Sequence, residues 1–377
     1  MRKIRILHCL FRVGSGGVEQ RRLLIARKLD PDRYEQKLIC TDAWGGLPER
    51  FVDAGCEVIH IGQIRHIADV RVYRNALRCI KQWQPDIIHG AVYEGVAIAA
   101  VAGRLSRVPV VIGEETSDPQ NRRWSGHLLF RLLSGLTHHM VAVSPAVQEY
   151  LRDTLRLPSD KVSLINNGVD EHSPSDAQED QRMLERFNFR SQDFVIGTVG
   201  RLVDEHKRVS DLIRTLALLH AAGMRSTRLL LVGDGPDRKM LENFAVSLGV
   251  RESVHFAGYI ANPQPLYAVM DVFALASAAE AFGLVLVEAM FAGLPVIATR
   301  VGGIPGVVED GRTGVLVPAF SPERFAEELL RLAMDETVRR EMGARGQQRA
   351  QTLFSADRYV ADVDCLYQRL SARVGLP

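Results

Sequence analysis

Two carboxylates eight residues apart, Glu280 and Glu288, stand in the segment SAAEAFGLVLVEAMFAGLPVIAT. Glu280 lies in a run of small residues just before a predicted helix. Glu288 lies inside that helix with apolar neighbours on both sides. A carboxylate in apolar surroundings is costly unless a polar partner meets it, and a ligand hydroxyl would be such a partner. The amides of Phe282, Gly283 and Leu284 open the helix. The first N–H groups of a helix have no acceptor within it and suit a phosphate. The alternative is plainer: Glu280 as a helix-start carboxylate and Glu288 as a surface residue.

Two cations form a second constellation. Arg201 and Lys207 follow the predicted strand VIGTVG in the stretch GRLVDEHKR. At a strand end they could converge on a diphosphate, Arg201 bidentately and Lys207 as a point charge. A solvated loop with chance charges is the alternative. Glycine-rich turns follow strands at 14–17 (Gly14, Gly16, Gly17), at Gly200 and at 233–235 (Gly233, Gly235). Each lets backbone amides approach a phosphate, and each alone is a weak signal. Neither the P-loop spacing nor GxGxxG with its acidic partner is present.

Other candidates carry less. His89, in PDIIHG, ends a predicted strand, where it could touch an acceptor or simply be a satisfied histidine. Glu114 and Glu115 follow VPVVIG and by themselves read as loop carboxylates. His138 and His139 read as structural. Asp30/Asp32 and Asp362/Asp364 have Asp-x-Asp spacing but read as surface pairs, and no histidine grouping has metal-ligand spacing. The five cysteines show no CxxC, so a reducing cytoplasm fits, without disulfides or zinc.

The elements that must position these residues alternate. Strands are predicted at 4–11, 37–40, 57–61, 86–89, 108–112 and 140–143. A helix is predicted over 18–29, with Leu23, Leu24 and Ala26 on its apolar side and Arg21, Arg22, Arg27 and Lys28 charged. The polar stretch 170–193 breaks the pattern with linker chemistry. Strands then resume at 194–199, 228–232, 254–256, 272–276 and 295–298. Helices are predicted at 209–222, 238–248, 283–292, 322–334 and 356–374. The fold class expected is α/β, with two doubly wound Rossmann-like domains. An N-terminal domain spans 1–172 together with a crossover helix at 357–377, a linker spans 173–192, and a C-terminal domain spans 193–356.

The 377 residues carry a net charge of +2, which argues against a nucleic-acid partner. Residues 1–172 carry +5 and the rest −3. The basic half, with Arg122, Arg123 and Trp124 in one loop, would suit a lipid phosphate at a membrane surface. No window approaches the apolar length of a membrane span, and the start reads as a first strand rather than a signal peptide. A cytoplasmic protein is expected, with any membrane contact peripheral, at the inner face of the plasma membrane.

Taken with GSGGVEQ, VAVSPAVQEYL, INNGVD, GRLVDEHKRVSDLI, LLLVGDGP and VGGIPGVVEDGRTGVLVP, the Glu280–Glu288 segment resembles the retaining family-four (group 1) glycosyltransferases of GT-B fold. The resemblance implies two domains facing across a cleft, closing about the linker to exclude water. It implies that Arg201 and Lys207 neutralise a donor diphosphate, that Glu288 binds the ribose hydroxyls, and that Glu280 contacts the transferred sugar. The amides of Phe282, Gly283 and Leu284 meet sugar and phosphates, and Gly14, Gly16 and Gly17 face the donor. Tyr259, beside Gly258, lies along the base, and Gly200 and Gly233 line the donor site. One departure stands out. Many relatives carry a histidine after the strand corresponding to VPVVIG. Here Glu115 is the nearest substitute. The implied activity is transfer of a sugar from a UDP- or GDP-sugar to a glycan or lipid-linked acceptor, in surface polysaccharide or glycolipid synthesis. Retention of configuration is implied, with neither metal nor other cofactor. A sugar-nucleotide epimerase of the same fold and a non-catalytic sugar-nucleotide-binding partner subunit are the rival readings. A nicotinamide-dependent dehydrogenase is disfavoured by the missing GxGxxG.

Overall fold

The computed structural model describes residues 2–14, 16–64, 66–67, 69–118, 122–171, 182, 185–190 and 192–376. Most of the predicted linker 173–192 lies outside the described residues, as does Ser15 in the first glycine turn. The chain divides into two compact units, Met1–Gly168 with Ala356–Pro377, and Val169–Ser355.

The first unit holds seven strands: β1 (Ile4–Val13), β2 (Tyr34–Ala43), β3 (Glu57–His60), β4 (Ile87–Ala91), β5 (Val110–Glu115), β6 (His139–Ala142) and β7 (Val162–Leu164). They pair in parallel in the order β3-β2-β1-β4-β5-β6-β7. Alternate residues face opposite sides, as the period of two requires. Ile4, Ile6, Ile87, Val110 and Ile112 face a core shared with the helices Gly17–Lys28 and Ala356–Arg373. Leu7, Cys9, Ile88 and Val111 face the other side, under the helices Val70–Trp83 and Val92–Leu105. A sheet covered on both faces needs apolar strands throughout, which is what the sequence supplies.

The second unit repeats the plan with six strands, β8 (Phe194–Val199), β9 (Thr227–Val232), β10 (Val254–Gly258), β11 (Val272–Leu275), β12 (Val296–Thr299) and β13 (Gly314–Val317). Their parallel order is β10-β9-β8-β11-β12-β13. One continuous core joins Ile196, Leu229, Leu231 and Val272 of the sheet to Leu212, Leu216, Phe325 and Leu329 of the covering helices. In both sheets the order reverses at one point, β1/β4 in the first and β8/β11 in the second. Open α/β sheets bind ligands outside the strand ends at such a point.

Some local expectations need correction. The strands β7 and β13 and the helix Glu336–Phe354 were not anticipated. The charged side assigned to the first helix is not all solvated: Arg21 and Arg22 are 8% and 1% exposed. Among the described residues no helix is long and apolar enough to cross a membrane.

Candidate functional site

In the second unit the ends of β8, β9 and β10 are stitched through glycines. The Gly200 amide donates to the Val232 carbonyl at 2.9 Å, and the Gly233 amide to the Gly258 carbonyl at 2.9 Å. Gly233 sits at φ +137, and a Cβ there would lie 1.9 Å from the Gly200 carbonyl oxygen. Only glycine permits that backbone approach and that conformation. Tyr259 follows Gly258 and is exposed.

Beyond Gly200 the chain turns into the short helix Asp204–Lys207. Asp237 accepts from the Asp204 amide at 2.7 Å, and the Asp204 carboxylate accepts from the Ser210 amide and hydroxyl at 2.7 and 2.6 Å. These bonds clamp the turn against the following helix, Val209–Ala221. Lys207 therefore leaves a braced element, and its Nζ donates to Glu280 Oε2 at 2.6 Å. The Glu280 loop is braced too. The Ala278 amide donates to the His206 carbonyl, and the Gly303 amide to the Glu280 carbonyl, both at 2.8 Å. Arg201 lies exposed on the same loop as Lys207, with no ion pair among the described residues.

Glu280 is followed by the helix Leu284–Phe291, with Gly283 at its N-cap in the left-handed region, φ +96. No side chain caps it. The amides of Phe282, Gly283 and Leu284 find no acceptor among the described residues. They make an unsatisfied, positively polarised helix start beside a lysine–carboxylate pair. Glu288, one turn further along, is half-buried, and its Oε2 accepts from the Tyr267 hydroxyl at 2.8 Å. Burial, then the Glu288 charge, pushes the Tyr267 phenol far above its usual range, so it stays a donor. Lys207, Glu280, Arg201 and the 282–284 amides thus stand around the ends of β8 and β11, at the point where strand order reverses. Tyr267 is the residue of this neighbourhood that sequence reasoning missed. Its only signal was a tyrosine in an otherwise apolar stretch.

The candidates of the first unit have a different fate. Gly16 caps the helix Gly17–Lys28 at the end of β1, without a side-chain cap, and Gly17 is exposed. His89 takes the second of its two readings, a satisfied histidine at a strand end, at 1% exposure. Its Nδ1 accepts from Arg22 at 2.7 Å and lies 2.7 Å from the Tyr367 hydroxyl, and its Nε2 lies 3.3 Å from Glu114. Burial, then the Arg22 charge, lowers its pKa to about 4, so the ring is neutral. Arg22 and Glu114 pair at 2.5 Å, with side chains 1% and 4% exposed. Burial alone would raise the Glu114 carboxyl, but Arg22 and His89 outweigh it and hold it below the usual range. This cluster locks β4, β5, the first helix and the C-terminal helix together.

Glu115, beside it in sequence, points elsewhere. It pairs with Arg122 at 2.6 Å and accepts from the Ser117 amide and hydroxyl at 2.9 and 2.6 Å. Arg122 in turn sits over the Phe130 ring at 4.5 Å. Val92, just past β4, is held at φ +65, an outlier for a β-branched residue at the sheet's reversal point. Among the described residues no three His, Cys, Asp or Glu side chains gather into a metal-holding group.

Comparison with known proteins bears on the family and the fold. The family model "Glycosyltransferase Family 4" matches residues 15–173, and "Glycosyl transferases group 1" matches residues 193–335. The chain is 36% identical over 161 residues to N-acetyl-alpha-D-glucosaminyl L-malate synthase of Bacillus anthracis, covering 43% of this chain and 42% of that protein. It is 32% identical over 236 residues to D-inositol 3-phosphate glycosyltransferase of Corynebacterium glutamicum, covering 58% and 55%. The matches therefore span about half the length of these curated relatives. The crystal structure of HepE from Anabaena in complex with UDP and glucose superposes with a TM-score of 0.86. Its sequence identity is 21%, over 97% of this chain and 99% of that one, a likeness of fold.

Proposed function

The chain belongs to the family-four, group 1 glycosyltransferases of GT-B fold, and on that footing we propose that it moves a sugar from a nucleoside diphosphate-sugar onto a glycan or lipid-linked acceptor. The product serves a surface polysaccharide or glycolipid, and the work is done on the cytoplasmic side of the plasma membrane. The carrying observation is the Lys207–Glu280 pair, 2.6 Å long, beside the uncapped start of the helix Leu284–Phe291 at the β8/β11 reversal. UDP, as present in the HepE crystals, is the leading nucleotide, with GDP the alternative.

In this reading the donor diphosphate takes up Lys207, Arg201 and the amides of Phe282, Gly283 and Leu284. Lys207 turns from Glu280 to the diphosphate, and the Glu280 carboxylate accepts from a hydroxyl of the transferred sugar. Glu288, aimed by the Tyr267 phenol, accepts from the ribose hydroxyls. As the glycosidic C–O bond breaks, charge builds on the departing diphosphate, and the cations and amides already stand where it builds. One such well-placed donor is often worth about 2.7–4 kcal/mol. With cations doing this work the reaction proceeds without a divalent metal. Retention follows a front-face course: the acceptor oxygen attacks from the side the diphosphate leaves, and a phosphate oxygen takes the acceptor proton. Trapping a covalent sugar adduct on Glu280 would overturn that course. The acceptor falls to the first unit.

Calorimetric titration with UDP and GDP in EDTA tests the reading. The wild-type protein binds one of them. Lys207→Ala weakens that binding by about tenfold or more, and Glu288→Ala weakens it as well. A folded protein that binds neither nucleotide ends the proposal. One that binds a nucleotide-sugar and interconverts it without an acceptor is an epimerase instead.

A further inference from the structure

The helix Trp124–Leu136 has an unusual surface. Its sequence, WSGHLLFRLLSGL, contains no acidic residue. Phe130, Leu133 and Ser134 form its buried side. Trp124, Leu128, Leu132 and Leu136 recur at every fourth position, so they line up along one side of the helix. All four are exposed, Trp124 at 78% and Leu132 at 61%, and Leu129 beside them is exposed too. No other helix of the described chain leaves so many large apolar side chains in water. Scattered apolar residues on a surface mean little, but a contiguous stripe marks a contact.

The charge on the helix and its cap has one sign, and a carboxylate, Asp160, stands at its far end beside Lys161. Arg123 caps the helix and is exposed, and Arg131 lies along the stripe's edge. Neither has an ion pair among the described residues. At the other end the Lys161 Nζ donates to the Gly135 carbonyl at 3.0 Å, and Arg104 donates to His138 Nε2 at 2.9 Å. Those two cations are close enough that Arg104, after burial, helps depress the lysine's pKa. The stripe is also rigidly mounted. Arg122 anchors the helix start through Glu115, with its guanidinium over the rings of Phe130 and Tyr93. A tryptophan at one end, leucines along one line and cations around the rim are what an interfacial helix needs. Its apolar side chains enter the headgroup–acyl boundary while arginine and lysine meet lipid phosphates.

We propose that the helix Trp124–Leu136 seats the first unit on an anionic membrane surface. The proposal takes up the membrane-side part of the reading above, and vesicle binding tests it separately from nucleotide binding. Purified full-length protein is sedimented with vesicles of phosphatidylcholine, and with vesicles in which a quarter of the lipid is phosphatidylglycerol. The expected result is binding to the anionic vesicles that weakens with salt. It drops about tenfold or more in the triple variant Trp124→Ser/Leu128→Ser/Leu132→Ser. It also drops in Arg123→Glu/Arg131→Glu. The replaced side chains are exposed, so circular dichroism and nucleotide affinity should match wild type in both variants. The proposal is overturned by wild-type protein that ignores anionic vesicles, or by a triple variant that binds them as well as wild type does. It is equally overturned if sedimentation equilibrium shows the stripe buried in a dimer that the triple variant dissolves.

Discussion

Lys207 and Glu280 satisfy each other at 2.6 Å, and any ligand that needs either group must first part them. Both side chains keep some exposure, and pairs of that kind contribute about 0.2–1 kcal/mol. A charge-assisted hydrogen bond to a diphosphate is worth roughly 1.5–3 kcal/mol, so the pair yields to a donor rather than blocking it. Glu288 is held differently, with a buried phenol among its partners. Tyr267→Phe removes that bond and nothing else of similar size. We expect about 1 kcal/mol of lost stability and a rise in the nucleotide dissociation constant of about three- to tenfold, with turnover at saturating donor little changed. Parallel melting and calorimetry check both. Unchanged nucleotide affinity would mean that the phenol is not what orients Glu288. The charged site residues were legible because carboxylates and cations at strand ends and helix starts stand out in sequence. Tyr267, Arg22 and Glu114 were not legible as partners, because each finds its mate far along the chain. Arg22 meets Glu114 across 92 positions and His89 across 67. On its helix Arg22 looks like one more surface charge, and only the packed sheet turns it inward.

At the scale of elements, the site depends on backbones that nearly touch. A methyl at position 233 would sit 1.9 Å from the Gly200 carbonyl oxygen, on a backbone at φ +137. Gly233→Ala should therefore cost about 2–4 kcal/mol through strain and overpacking and disturb the turn that carries Arg201. Gly135→Ala, in a helix with open space around it, should shift stability by no more than about 1 kcal/mol. Urea midpoints for the two variants make the comparison, and equal midpoints would refute it. The βα alternation was readable, because buried parallel strands are continuous apolar runs. The two missed strands are short, and a run such as Gly314–Val317 is no longer than a loop's chance apolar stretch. The missed helix Glu336–Phe354 buries Met342, Gly343, Gly346, Ala350 and Phe354. Small residues make that buried stripe, and a Cβ on Gly343 would collide with the Gly293 carbonyl. A pattern search for large apolar residues passes over such a face.

For the molecule as a whole, titration should act unevenly. His8, His89 and His139 of the first unit are at most 1% exposed. Burial pushes all three down, His89 and His139 to about 4. In the unfolded chain they take protons near their ordinary value of 6.5. Between those values the unfolded state binds more protons, so stability is complete above about pH 6.5 and falls as pH drops toward 4. Each contributes about 1.4 kcal/mol per pH unit in that window, and Glu114, held low, adds loss in the same direction. In the second unit His255 is the histidine so lowered among the described residues. Hydrogen exchange at pH 7 and pH 5 should show protection lost first in β1, β4 and β5. Equal loss in both sheets would sink the idea. The helix Ala356–Arg373 brings Tyr359, Val363, Leu366 and Tyr367 into the core of the first unit. It arrives only after the second unit, roughly 190 residues, has been made. At about 5–20 residues per second, a ribosome holds the first sheet without its last covering helix for some ~10–40 s. The second unit is finished earlier. The order of synthesis thus reverses the order of completion, and the nascent first sheet, with its arginine-lined core still open on one face, is the species a chaperone would meet.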